Sequence, residues 1–132
     1  MSGSGAGRWL VLAREDLAMA EYAVSSGIFR QACFHAQQAV EKALKGLLVA
    51  RTGTHPRSHS LERLWFSDPV VHEELRAWRE RLTGLDAFYL PTRYADAVPL
   101  EAGEPTPEEA RASPEDAKAI VAEIAARIGG AA

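Results

Sequence analysis

Apolar residues recur at helical spacing in several stretches of the 132-residue chain. From about Arg8 they return every three or four residues until Ser25-Ser26-Gly27, which predicts a first helix. A second helix is predicted from about Ile28 to Ala50, and small apolar residues occupy one arc of its surface. These residues are Ala32, Cys33, Ala36, Ala39, Val40, Ala43, Leu44 and Leu47. Their small size predicts that another helix packs closely on this arc.

Shorter apolar segments follow, separated by helix-breaking residues. Residues 51–59 are predicted to form a loop, because they contain a glycine and a proline. Ser60 is a candidate N-cap for a short helix. Asp68-Pro69 has the composition of an N-cap followed by a first-turn proline, so a further helix is predicted from there to about Leu82.

The last third of the chain begins with four prolines in residues 91–107, which predict irregular structure. Ser113-Pro114 then predicts the start of a final helix that continues to about Ile128. We find no alternation typical of strands. The pattern therefore predicts an all-α protein, an antiparallel up-and-down bundle of four to five helices.

Composition restricts the class of protein further. Hydrophobic residues make up 47% of the chain and charged residues 25%, which is typical of one globular domain. We place that domain at residues 8–129, after a flexible lead-in at residues 1–7. No apolar run approaches the ~18 residues of a membrane span, and the lead-in lacks the features of a targeting peptide, so we expect a cytoplasmic location. The single cysteine, Cys33, excludes an internal disulfide framework.

Charge is unevenly distributed along the sequence. The net charge is −3, which argues against a generally basic nucleic-acid binder. However, residues 1–66 contain eight basic and five acidic residues, whereas residues 67–132 contain seven and thirteen. The first half can therefore present a local face that binds anions.

A polar stripe lies opposite the small apolar arc of the second helix. Its members are Gln31, His35, Gln38, Lys42 and Lys45. One interpretation is a solvated outer face on which Glu41 and Lys45 form an ion pair four residues apart. The other is an anion-binding groove, in which Lys42 and Lys45 hold phosphates while His35 and Gln38 supply hydrogen bonds.

A second polar cluster is Tyr89-Leu90-Pro91-Thr92-Arg93-Tyr94-Ala95-Asp96. In one interpretation Arg93 and Asp96 form a structural ion pair and the two tyrosine rings seal the end of the bundle. In the other, Arg93 binds a phosphate and Tyr94 supplies a stacking face or a hydroxyl group. The loop histidines do not have the spacing of a metal site, so neither a metal nor another cofactor is expected. His59 is instead expected to order the start of the next helix.

An ordered series of motifs resembles a known family. The series is Ala13-x-x-Asp16-Leu17-x-x-Ala20, then Phe34-His35-Ala36-Gln37-Gln38-Ala39-Val40-Glu41-Lys42-Ala43-Leu44-Lys45, then His59-Ser60-Leu61, then Arg93-Tyr94-x-Asp96. It is similar to the HEPN domain (higher eukaryotes and prokaryotes nucleotide-binding). The resemblance implies a bundle of four or five helices that is often dimeric. Many small prokaryotic members act as the partner of a minimal nucleotidyltransferase, frequently in toxin–antitoxin pairs.

Other members of that family are metal-independent ribonucleases that carry Arg-x(4–6)-His. After Arg93, the positions that this motif reserves for histidine hold Val98, Pro99 and Leu100. Arg30 and His35 match the string, but they lie on the second predicted helix, where five residues turn the chain by about 140°. Catalysis is therefore not expected. If the protein were an enzyme, His35 and Arg93 would be the candidate catalytic residues.

The sequence leads to one preferred hypothesis and two alternatives. The preferred one is a homodimeric, non-catalytic module that binds a nucleotide or RNA and partners a separate nucleotidyltransferase. Its expected ligand-binding residues are Lys42, Lys45, Arg93, Tyr94, His35, Gln38 and Asp96. The first alternative is a metal-independent ribonuclease toxin that uses His35 with Arg93 or Arg30. The second is a helical interaction dimer with an exposed apolar patch around Trp65, Phe66 and Trp78.

Overall fold

The computed structural model describes residues 4–89 and 105–130, and most of these residues are helical. The helices are α1 (Ser4–Ser25), α2 (Phe29–Thr52), α3 (Leu61–Phe66), α4 (Pro69–Glu74), α5 (Arg79–Asp86) and α6 (Pro107–Gly130), with a 3₁₀ turn at Arg76–Trp78. Neither described range contains a strand. The predicted all-α bundle is confirmed. None of the helices in these ranges combines the length and apolarity that crossing a bilayer requires.

Helix α2 is the centre of the bundle and packs against α1 and α6. Its alanine arc is fully buried, so the small residues predicted to allow close packing do lie in the core. Alanines of α1 and branched residues of α6, among them Ile120 and Ile124, complete this layer. Three fully buried leucines of α2, Leu44, Leu47 and Leu48, supply most of the bulk. Burial of each such side chain contributes about 1.5–3 kcal/mol to folding.

The first helix begins four residues earlier than predicted. Ser4 already belongs to α1, so residues 4–7 are helical, and Ala6 is fully buried. Gly46 of α2 explains this close approach, because a Cβ placed there would lie 3.0 Å from Trp9 Cβ and 3.3 Å from the Ala6 carbonyl oxygen. The absence of a side chain at Gly46 thus lets the start of α1 cover the second half of α2.

Two of the predicted helix starts are confirmed. The Ser60 hydroxyl accepts the backbone N–H of Arg63 at 3.2 Å and caps α3. The Asp68 carboxylate accepts two backbone N–H groups of α4 at 3.0 and 3.1 Å, with Pro69 in the first turn. The single helix predicted from Pro69 to Leu82 is wrong. It is interrupted at Leu75, whose φ of −108° and ψ of 17° are not helical, and it becomes α4, a 3₁₀ turn and α5.

The predicted start of the last helix is also wrong. Helix α6 begins at Pro107, so Pro114 lies inside it and Ser113 is buried rather than capping. The cap is a reciprocal pair in which Thr106 Oγ1 accepts the Glu109 N–H at 3.1 Å and Glu109 Oε1 accepts the Thr106 N–H at 2.9 Å. This capping box lies directly before the buried face of α6. The sequence pattern of such a cap is present in Thr106-Pro107-Glu108-Glu109, where a threonine is followed three residues later by a glutamate.

An ion-pair cluster joins the ends of α2, α4 and α6 at one end of the bundle. Arg51 donates two hydrogen bonds of 2.7 Å to Glu74, and Arg127 lies 3.6 Å from the same carboxylate. The hydrogen bonds from Arg51 lower the pKa of Glu74, and the same contact raises the pKa of Arg51. Because both oxygens of Glu74 are held, this pair fixes α4 against the long helices.

Candidate functional site

The polar stripe of α2 is covered, so its interpretation as a solvated outer face is wrong. Only Gln31 is exposed, His35 and Lys42 are half-buried, and Gln38 and Lys45 are buried. The cover comes from two directions. The first turns of α1 place Trp9 beside Lys45, and the segment before α3 places a histidine, His59, against Glu41.

Asp16 of α1 organises the first half of the stripe. Its Oδ1 lies 2.8 Å from His35 Nδ1, and its Oδ2 accepts a hydrogen bond of 2.5 Å from Lys42 Nζ. The Asp16 side chain is only 10% exposed. Because an ionised carboxylate can only accept, the proton of a neutral His35 ring lies on Nδ1, which leaves the Nε2 lone pair as the base. We call Asp16, His35 and Lys42 the first triad.

Glu41 organises the second half in the same way. Its Oε2 accepts a hydrogen bond of 2.9 Å from Lys45 Nζ and lies 3.2 Å from His59 Nδ1, while its Oε1 accepts one of 2.9 Å from Gln38. The predicted Glu41–Lys45 pair is confirmed, but it is buried, with side chains only 4% and 9% exposed. The Trp9 ring closes the other side of Lys45, with 5.6 Å from Nζ to the ring centroid. Glu41, Lys45 and His59 form the second triad.

The two triads change what the lysines can do. Each ammonium group is matched by a carboxylate, so the charges of the two lysines are balanced by those of Asp16 and Glu41. A phosphate would have to compete with Asp16 or Glu41 for a lysine that is already paired. Among the lysines and histidines of the two triads, the His59 side chain is the most exposed, at 55%, whereas His35 is 21% exposed and Lys42 is 27% exposed. This geometry favours His59 as the group that meets a ligand.

Asp86, at the end of α5, holds the segment that carries His59. Its carboxylate accepts the Ser60 hydroxyl at 2.9 Å and the Leu61 N–H at 2.8 Å, in addition to the Glu62 N–H at 3.3 Å. Gln37 of α2 donates to the His59 carbonyl oxygen at 2.8 Å. The prediction that His59 orders the start of α3 is wrong: Asp86 and Gln37 hold this segment. The His59 ring contacts Glu41 and Tyr89 instead. The sequence contained no signal for Asp86, because its partners lie about 25 residues away.

The two histidines of the triads belong to a row of four rings. His59 stacks on Tyr89 with centroids 5.2 Å apart and planes inclined by 10°. Phe34 lies 6.4 Å from Tyr89 and 5.3 Å from His35. We call His35, Phe34, Tyr89 and His59 the ring wall. Phe34 and Tyr89 were not among the predicted site residues, although Phe34 directly precedes His35 of the stripe.

The remaining predicted site residues, Arg93, Tyr94 and Asp96, lie outside the described residues. The structure brings together His35, Gln38, Lys42 and Lys45 on one side of α2, with Tyr89 as the last described residue before the segment that contains Arg93.

Other candidate groups are placed in structural roles. Burial raises the pKa of the Cys33 thiol to about 11, so this cysteine is neutral and unreactive near pH 7. His55 packs edge-on against Trp9 at 5.2 Å, and His72 stacks on Trp65 at 4.1 Å. Within residues 4–89 and 105–130, no three His, Cys, Asp or Glu side chains are grouped so that they could hold a metal ion.

Comparison with known proteins identifies the class of this helical bundle. The family model of the HEPN domain matches residues 6–127, nearly the whole chain. The chain belongs to the HEPN family.

Two solved structures resemble it over almost their full length. The crystal structure of TT1696 from Thermus thermophilus is 36% identical, with a TM-score of 0.77 over 94% of this chain and 97% of the other. The crystal structure of ST0689, an archaeal HEPN homologue, is 34% identical, with a TM-score of 0.71 over 93% of this chain and 97% of the other. A search of curated proteins gives no match.

Proposed function

We propose that the protein is a non-catalytic module that binds a nucleotide or RNA at the α2 stripe, and that it works as the partner of a separate minimal nucleotidyltransferase, as in a toxin–antitoxin pair. The observation that carries the binding site is the ring wall. It sets a half-exposed imidazole and a tyrosine in parallel, directly beside hydrogen-bonding groups of α2. This combination of a stacking face and polar groups suits a nucleobase.

The expected division of labour follows from the charges. The base would stack on the open face of His59, whose other face lies on Tyr89, while His35 and the amide oxygen of Gln38 hold polar groups of the ligand. Because Lys42 and Lys45 are already paired with carboxylates, they would act by setting the local field rather than as free phosphate ligands. Arg93, four residues after Tyr89 in the sequence, is proposed to bind the phosphates, with Tyr94 and Asp96 beside it.

Calorimetric titration with ATP tests this site. We expect wild-type protein to bind ATP and Arg93→Ala to weaken the binding. We also expect His59→Ala to weaken it by roughly tenfold, since loss of one base-stacking ring costs about 1–3 kcal/mol. His55→Ala is the matched control, because that ring packs on Trp9 and not on the ring wall. Equal affinities in the two histidine variants would contradict the ring wall. The proposal fails if Lys42→Ala and Arg93→Ala leave both nucleotide binding and capture of a nucleotidyltransferase unchanged.

One observation favours a ribonuclease as the second candidate function. The Asp16–His35 hydrogen bond fixes the imidazole in the tautomer that a general base needs. An enzyme of this kind would cleave RNA in the presence of EDTA and would lose that activity in His35→Ala. Folded His35→Ala protein with unchanged, EDTA-resistant cleavage would exclude His35 as the base.

The homodimer is proposed to form through the outer face of α1. Four large apolar side chains are exposed there within an arc of about 100°: Val11 at 54%, Leu12 at 41%, Met19 at 50% and Tyr22 at 66%. By contrast, the patch expected around Trp65, Phe66 and Trp78 is not continuous, because Trp65 is 3% exposed and only Phe66 is open.

Antiparallel pairing of two α1 helices would set the basic first half of one, with Arg8 and Arg14, against the acidic second half of the other. Light scattering on wild type and Met19→Glu checks this, since the variant is expected to be monomeric.

A further inference from the structure

A narrow groove with an uncharged middle runs between α5 and α6. Its volume is about 290 Å³, at the lower end of the ~300–1,000 Å³ range of small-molecule pockets, so its size suits a slender ligand. The middle is lined by Gly84 and Leu85 of α5 and by Ala112 and Ser113 of α6. Leu85 and Ser113 are buried and form the floor, whereas the two smaller residues are exposed at its sides.

Gly84 is a glycine that α5 itself does not require. It lies inside the helix, where glycine lowers stability relative to alanine. Its φ is not positive, unlike those of Gly27 and Gly53, and a Cβ placed on it would have no atom within 4 Å, unlike one on Gly46. Neither the backbone conformation nor the packing therefore accounts for it. A glycine also serves where another molecule approaches the backbone closely, and the groove beside Gly84 provides that situation.

Carboxylates lie at both ends of the groove. Helices α5 and α6 run in opposite directions here, because Arg81 lies 3.7 Å from Asp116 whereas Phe88 packs on the cluster that includes the first turn of α6. Glu80 and Asp116 therefore lie at one end and Glu109 at the other. Since Glu109 and Asp116 are seven residues apart on α6, the two ends are separated by about 10 Å.

The groove has an excess of negative charge. Its lining contains the carboxylates of Glu80, Glu109 and Asp116 and one guanidinium group, that of Arg81. Arg81 balances only part of the charge at its end, because that end holds two carboxylates and the guanidinium carbon also lies 4.9 Å from the Trp78 ring centroid. At the other end, Glu109 caps α6 through Oε1, which leaves Oε2 outside the cap. Charge complementarity therefore requires a cationic occupant.

We infer that this groove binds a linear aliphatic polyamine, with an ammonium group at each acidic end and the methylene chain over Gly84. A compact cation would reach only one end, and within residues 4–89 and 105–130 no three His, Cys, Asp or Glu side chains are grouped to hold a metal ion. A methylene chain is thin enough to lie against a glycine backbone, and it gains by covering the apolar floor. The groove shares no residue with the α2 stripe, so this inference does not rest on the nucleotide site proposed there.

Calorimetric titration with spermidine at low salt tests the groove. We expect saturable binding to the wild type with a dissociation constant of about 1 mM or lower, and weaker binding at higher salt because exposed charges are screened. Propylamine, which has a single ammonium group, is expected to bind at least about tenfold more weakly. In ¹H–¹⁵N spectra the amide signals of Gly84 and Ala112 are expected to shift on addition of spermidine.

Substitution of Gly84 separates binding from folding. Because the space at this position is open, Gly84→Ala is expected to raise the midpoint of thermal unfolding by a few degrees while it weakens spermidine binding. Gly84→Leu would fill the groove and is expected to weaken binding at least about tenfold in a folded protein. A folded Gly84→Leu variant that binds spermidine as the wild type does would overturn the inference.

A pair of double variants tests the charges. Glu80→Gln/Glu109→Gln keeps the sequence pattern of the α6 cap and is expected to bind spermidine at least about tenfold more weakly. Glu62→Gln/Glu73→Gln removes the same number of negative charges from exposed positions outside the groove and is expected to bind as the wild type does. Equal weakening in both double variants, or no binding of spermidine by the wild type at low salt, would contradict the assignment.

A separate titration with ATP distinguishes this inference from the proposed function. Gly84→Leu is expected to keep whatever ATP affinity the wild type has. If the wild type binds spermidine in the groove but does not bind ATP, the α2 site fails and the polyamine groove stands. If the wild type binds ATP but not spermidine, the polyamine groove fails and the α2 site stands.

Discussion

Replacing Glu41 with alanine is expected to destabilise the protein by about 3–5 kcal/mol, the usual cost of leaving a buried charge without its partner. Lys45 would keep its ammonium group in a position that is 9% exposed and closed on the other side by Trp9. Gln38 would lose an acceptor and His59 its carboxylate. Urea denaturation followed by circular dichroism measures the change in the free energy of unfolding.

The matched control for this substitution is Glu123→Ala. Glu123 accepts a hydrogen bond of 2.6 Å from Arg127, also four residues away, but those side chains are 31% and 36% exposed. That pair is expected to contribute less than about 1 kcal/mol. A similar loss in both variants would show that burial of the Glu41–Lys45 pair has no energetic consequence.

Removing both charges of the second triad separates stability from binding. Glu41→Leu/Lys45→Met replaces the pair by apolar side chains, so it is expected to recover most of the stability that Glu41→Ala loses. Because Lys45 is proposed to balance Glu41 rather than to bind phosphate, ATP affinity is expected to fall only as far as His59 is affected by the loss of its contact with Glu41. A loss larger than that of His59→Ala would make Lys45 a phosphate ligand.

Replacing Asp86 with alanine is the second change with a large expected effect: the free energy of unfolding is expected to fall by about 3 kcal/mol. The substitution removes the acceptor of the Ser60 hydroxyl and of the Leu61 and Glu62 N–H groups, and hydrogen bonds to a charged group contribute about 1.5–3 kcal/mol each before relaxation. Because Asp86 lies three residues before Tyr89 and holds the segment after His59, nucleotide binding at the ring wall is expected to weaken too.

Asp68→Ala is the control for Asp86→Ala. Asp68 is an ordinary N-cap that accepts two N–H groups of its own helix, at 3.0 and 3.1 Å. Its loss is expected to cost about 1 kcal/mol without affecting the ring wall. Thermal unfolding and ATP calorimetry on both variants give the comparison. If Asp86→Ala costs no more than Asp68→Ala, Asp86 does not link α5, α3 and α2.

The helices that the sequence predicted well are those whose signals are local. The alanine arc of α2 and the caps at Ser60 and Asp68 depend on residues within one or two turns, and the structure confirms them. The prediction at Ser113-Pro114 was wrong because this pair has the same local composition as a cap, whereas the true cap residue, Thr106, lies almost two turns earlier.

The candidate site was harder to predict because its groups meet across the fold. The stripe of α2 was identified, but its partner Asp16 lies on α1, and Asp86, which holds the segment after His59, lies on α5. Amphipathic spacing shows which residues share a face; it does not show what covers that face. The cover over Lys45 depends on Gly46, because the absence of a side chain there lets α1 approach α2 closely.

The short link between α1 and α2 has a consequence for the order of folding. Only residues 26–28 separate the two helices, and Gly27 turns the chain with a φ of 73°. Closing so short a loop costs little chain entropy, so this hairpin has the lowest contact order of the long-helix pairings and is expected to form first. Asp16, His35 and Lys42 all belong to the hairpin. All three members of the first triad are therefore expected to meet as this hairpin forms, before His59, Tyr89 and α6 are in place.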